Sequence, residues 1–126
     1  MNPYDAAYAL TKTLRESPEF KEMKEAQAAL KADESANQMV RDLRKQQLEM
    51  QKQQLSGIEI SQEQEEKAER LMQIVNINLV AKRFLQAEYR IGVLIQDIYK
   101  IIGEATSEII DEELSSLLTE DSEDEE

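Results

Sequence analysis

Residues 84–109, FLQAEYRIGVLIQDIYKIIGEATSEI, place Phe84, Glu88, Ile91, Ile95, Ile98, Ile102, Ala105 and Ile109 at alternating steps of four and three. This is the spacing of a coiled-coil seam, and almost every seam position is aliphatic. A second row, Val80, Ala87, Leu94 and Ile101, flanks the first, so the helix presents an apolar surface wider than a single-face surface helix carries. Such a helix must be covered on several sides. The candidate oligomer-interface or core residues are therefore Phe84, Ile91, Leu94, Ile95, Ile98, Ile101 and Ile102. Gly92, a poor helix former inside this run, suggests the close approach of another helix backbone.

The preceding sequence punctuates itself into four more helices. Asn2-Pro3 reads as an N-cap and first helical residue, opening a helix to about Glu16 with Tyr4, Ala7, Tyr8 and Leu14 on one face. Ser17-Pro18-Glu19 repeats the signal and starts a second helix carrying Phe20, Met23, Ala26 and Leu30. Asp33 caps a third, from about Glu34 to Leu55, with Ala36, Val40, Leu43, Gln47 and Met50 on its inner face. Ser56-Gly57 stops it, with Gly at the left-handed position. Ser61-Gln62-Glu63-Gln64 is a capping box opening a fourth helix, whose apolar side is Ala68, Leu71, Met72 and Val75. Asn76-Ile77-Asn78 favours a cap or turn without forcing one, and a break is placed there. The fifth helix then runs from about Leu79 to Gly103 or beyond.

The expected fold is thus all-α: about five helices in a bundle with a long C-terminal oligomerisation helix. Residues 1–110 are expected to form one domain and residues 111–126 an acidic tail. The usage supports this, with 3 Gly and 2 Pro in 126 residues. The net charge of −12 is unevenly distributed. Residues 1–103 carry 15 bases against 16 acids, whereas residues 104–126 carry 11 acids and no base. A nearly neutral body argues against a nucleic-acid groove, which needs a concentrated basic face. The end of the chain beyond Leu118 has no apolar residue and is expected to be disordered.

Zero Cys and zero His remove disulfides, thiolate sites and the commonest metal ligand and general base. Carboxylates alone remain, and Glu88 and Asp97 lie on the apolar fifth helix. The simpler account is that Glu88 pairs with Arg83, Arg90, Arg70 or another base, and that Asp97 lies at the edge of the seam. No catalytic, cofactor-binding or metal-binding residue is assigned, no cofactor is expected, and the protein is read as a non-enzyme. Met23, Met39, Met50 and Met72 are read as core gap-fillers. Tyr4, Tyr8, Tyr89 and Tyr99 are read as packing residues with wet hydroxyls. Gln46, Gln47, Gln51, Gln53 and Gln54, interleaved with Lys45 and Lys52, are read as a solvated face. The N-terminus shows no signal-peptide pattern and no apolar run approaches about 18 residues, so a cytoplasmic protein without membrane contact is expected.

The order of a short N-terminal helix, Ser17-Pro18-Glu19-Phe20, Ala32-Asp33-Glu34-Ser35-Ala36, a Gln-rich long helix and Phe84-Leu85-Gln86-Ala87-Glu88 resembles the YlbF/YmcA family, and within it the YheA branch. The resemblance covers roughly residues 4 to 110. It implies a small all-helical protein of Gram-positive bacteria that self-associates and regulates without catalysis. The name-giving members act with YaaT in a complex that promotes ribonuclease Y-dependent RNA processing. That complex is associated with iron–sulfur clusters on cysteine, and with no Cys in this chain cluster binding does not carry over. The expected function is a helical interaction or adaptor protein in regulation or RNA processing, and the alternative is a small holdase-like chaperone. The expected partners are a second copy, as a homodimer with a tetramer as the alternative, and a protein partner of unknown identity. No direct contact with nucleic acid is expected.

Overall fold

Each helix boundary begins with one polar side chain. In the computed structural model, which describes residues 1–110, 114 and 116–119, the chain runs through α1 (Pro3–Glu16), α2 (Pro18–Ala32), α3 (Glu34–Leu55), α4 (Gln62–Ile77) and α5 (Leu79–Ser107). The Asn2 side chain accepts the Asp5 N–H at 2.9 Å, Ser17 that of Phe20 at 3.2 Å, Asp33 that of Ala36 at 3.0 Å, and Asn78 that of Ala81 at 3.0 Å. At α4 the capping box is complete: Ser61 Oγ accepts from the Gln64 N–H at 3.2 Å, and Gln64 Oε1 accepts from the Ser61 N–H at 3.0 Å. Each bond satisfies a donor that the helix geometry orphans.

The end of α3 is equally local. Gly57 takes φ +75°, its N–H donates to the Gln54 carbonyl at 3.2 Å, and the Ile58 N–H donates to the Gln53 carbonyl at 2.8 Å. This pair of bonds is a Schellman motif, and a residue without Cβ enters it without steric cost. The break between α4 and α5 falls at Asn78, whose φ −91° and ψ 115° are extended.

The structure divides after Ile91 into two units, Met1–Ile91 and Gly92–Glu126. In the first, helices α2 to α4 and the first part of α5 enclose a core of Ala26, Leu30, Ala36, Val40, Leu43, Val75, Ala81, Phe84 and Ala87. Met23, Met39, Leu71, Val80 and Leu85 pack against it. Four of the nine core residues are alanines, so the helices approach closely and large buried side chains are few. α1 joins α2 through Ser17 alone and buries none of its residues.

Three expectations fail in informative ways. On α3, Gln46 is buried and Gln47 is exposed, the reverse of the expected inner face, and Gln53 is half-buried. The inner face turns along the helix because its neighbour changes: the second half of α3 packs on α4, where Gln46 lines a cleft with Lys67 and Leu71. All four tyrosines are mostly exposed rather than packed, with Tyr4 at 79% and Tyr99 at 68%, because no helix among the described residues covers the faces that bear them. Gly92 meets nothing, since a Cβ built on it has no heavy atom within 4 Å. The expected disorder beyond Leu118 lies, apart from Thr119, outside the described residues.

Candidate interaction surface

Polar chemistry in the first unit is used to fasten helices together. Arg44 on α3 pairs with Glu88 on α5, and its guanidinium lies 5.3 Å from the centroid of the Phe84 ring. One cation thus meets a carboxylate and an aromatic face one turn apart on the same helix. This answers what holds Glu88: the base is Arg44, not Arg83, Arg90 or Arg70. Arg83 instead reaches α2, its Nε donating to Glu22 at 2.6 Å and its Nη2 to Glu25 at 3.1 Å. The hydrogen bond to Glu22 is the chief reason the Arg83 guanidinium is held above its ordinary pKa; partial desolvation opposes it, and the charges of Glu22 and Glu25 add to it.

With Glu88 tied to Arg44 and Asp97 exposed, the two acids considered as cation ligands are not brought together. Among the described residues no group of three or more His, Cys, Asp or Glu is placed to hold a metal ion. A groove of about 380 Å³ between α4 and α5 is lined by Met72, Leu85 and Tyr89, with Lys82 and Arg90 beside them. It is open and mostly apolar, and it contains no nucleophile, base and orienting group in sequence.

The apolar seam of α5 is distributed unevenly. Phe84 is in the core; Ile91, Leu94, Ile95 and Ile98 are half-buried; Ile101 and Ile102 are exposed, at 66% and 51%. A second uncovered stripe lies on α1, where Tyr4 and Tyr8 face water. Exposed apolar residues also occur at two separate helix ends, Leu55 and Ile58 where α3 stops and Ile77 and Leu79 at the α4–α5 break. Scattered apolar residues are normal on a surface, whereas aligned ones at helical spacing mark contact sites. No helix among the described residues is long and apolar enough to cross a membrane.

Such a helical surface agrees with what most of the chain matches. Residues 4–107 match the family described as "Control of competence regulator ComK, YlbF/YmcA". The chain belongs to the YlbF/YmcA family. It is 43% identical over 102 residues to a UPF0342 protein of Symbiobacterium thermophilum, covering 81% of this chain and 91% of that one. A UPF0342 protein of Desulfitobacterium hafniense is 37% identical over 110 residues, covering 87% and 89%. Among solved structures, "Protein of Unknown Function (DUF964) from Bacillus stearothermophilus" superposes with a TM-score of 0.72, covering 84% of this chain and 93% of that one. At 24% identity that likeness shows the fold. The family match spans all five helices, with α5 included as far as Ser107.

Proposed function

We propose that this YlbF/YmcA protein is a non-enzymatic, cytoplasmic adaptor that self-associates and binds a regulatory protein through its uncovered helix faces. The observation that carries the reading is the family match, whose description concerns control of the competence regulator ComK. The exposed stripes support it, because side chains such as Tyr4 and Tyr8 supply rigid, amphipathic contact area that a single chain leaves unused. RNA processing is the setting implied by resemblance to the name-giving members, reached through a protein partner, since the body carries no basic concentration for phosphates. Affinity capture of the tagged protein from its native lysate, with the Tyr4→Ala/Tyr8→Ala variant as the comparison, tests the reading. One dominant partner that the double variant loses supports the adaptor. Equal capture by both proteins removes α1 as the binding face.

A holdase reading is favoured by the apolar helix ends at Leu55, Ile58, Ile77 and Leu79. A holdase takes unrelated clients, so it suppresses aggregation of heated model substrates such as citrate synthase, whereas an adaptor does not.

A further inference from the structure

From Gly92 to Ser107, α5 fully buries none of its residues, with Gly92, Leu94, Ile95 and Ile98 half-buried and the rest exposed, yet its side chains keep a seven-residue order. With Glu88, Ile95 and Ile102 at position a, Ile91, Ile98 and Ala105 fall at d. Leu94 and Ile101 fall at g, and Gly92, Tyr99 and Thr106 at e. The charged residues of this segment, Asp97, Lys100 and Glu104, all sit at the outward positions c and f. The four inward positions, a, d, e and g, thus carry no charge between Ile91 and Ser107. A solvated helix has no reason to sort its charges in this way.

We propose that this face pairs with the same face of a second copy, the two helices running antiparallel about a two-fold axis near residues 96 and 97. In an antiparallel pair, a positions meet d positions. Ile95 then meets Ile98 of the second copy and Ile91 meets Ile102 of the second copy, and the two-fold repeats each contact. The flanking rows match as well. Leu94 lies against Ile101 of the second copy, and Gly92 lies against Tyr99 of the second copy.

That last contact explains two features together. Gly92 is among the poorest helix formers, and among the described residues nothing lies within 4 Å of where its Cβ would stand. Tyr99 is 68% exposed on a row that carries no charge. A missing side chain opposite a large flat one is knob-into-hole complementarity, and the antiparallel register brings them together. A parallel pair instead sets Glu88 against Glu88 of the second copy and leaves Gly92 opposite Ala87, two small residues with a gap between them. Tyr99, Ile101 and Ile102, at 68%, 66% and 51% exposure, supply the largest area that the pairing covers.

The pairing rests on the self-association in the adaptor reading, and the test separates the two. The chain has no Cys, so single-cysteine variants report one contact each. An oxidised mixture of Gly92→Cys and Tyr99→Cys proteins is expected to give a disulfide dimer that neither gives alone, and Ile102→Cys alone is expected to give none. Gly92→Leu is expected to keep the helicity of the wild type while weakening the dimer roughly tenfold or more, because the added side chain fills the hole. A monomer mass by light scattering at high micromolar concentration overturns the pairing and the self-association together. A dimer mass with efficient Ile102→Cys cross-linking, a failed mixture, or a Gly92→Leu dimer of unchanged affinity overturns the antiparallel geometry and leaves self-association standing.

Discussion

Asn78→Ala tests whether one side chain or the core keeps α4 and α5 apart. The Asn78 amide oxygen caps α5 through the Ala81 N–H at 3.0 Å, and no Gly or Pro enforces the break. Losing an N-cap costs about 1 kcal/mol, within a range of about 0.5–2. The variant also makes a continuous helix through residue 78 accessible, since Ala is the best helix former. Against that stands the core: Val75 at the end of α4 is fully buried and Phe84 nearly so. A straight helix cannot point both into the same core with α4 lying on α3. Exposing the two side chains would cost roughly 3–6 kcal/mol at about 1.5–3 kcal/mol each. The burial wins, so the break should persist and the protein should lose only the cap. For a chain of this size that lowers the melting temperature by about 3–5 °C, and Asn78→Ser, which can still cap, should restore most of it. Far-UV circular dichroism melts with the oligomeric mass held constant provide the measurement. A rise in helicity together with a broad, non-cooperative melt would show that the helices had fused and that the core was the weaker term.

Gln53 Oε1 is buried without a hydrogen-bond partner; Gln53→Met, similar in shape and apolar, should stabilise the protein by about 1 kcal/mol in urea denaturation. Arg44→Met should cost under about 1 kcal/mol, since the Arg44–Glu88 pair is nearly half exposed, with side chains 48% and 43% accessible; a loss above about 2 kcal/mol would mean that the contact over Phe84 dominates. Deleting residues 120–126, which contain no base and no apolar residue, should leave helicity and melting temperature unchanged within about 1 °C, and a larger fall would show that these acids dock on the body. Because part of α5 is uncovered in one chain, the melting temperature should fall by roughly 2–3 °C per tenfold dilution; a concentration-independent melt would argue that the folded unit is the monomer.

The boundaries of the helices were legible because each is written in local chemistry. A cap needs only an oxygen three residues before the N–H it satisfies, as at Asn2, Ser17, Asp33 and Ser61, and Gly57 needs only its missing Cβ. Where the neighbour decides, sequence falls short. Nothing around Gln46 and Gln47 says which is inward, because that depends on α4 lying beside the second half of α3. Nothing around Arg44 says that its carboxylate is 44 residues away. The tyrosines show the same limit from the other side: their spacing reports a face, and only the fold reports that no helix among the described residues covers it. The seam of α5 was legible for this reason as a pattern, and its occupant was not. A core with four alanines among nine residues takes Phe84 from α5 and leaves Ile101, Ile102 and Tyr99 of the same helix outside it. In an amphipathic helix whose charges are sorted to the outer positions, those residues are placed for a second surface of equal regularity. A second copy of the same helix has that regularity by construction, whereas an unrelated partner would have to match the period, the hole at Gly92 and the ring of Tyr99 independently.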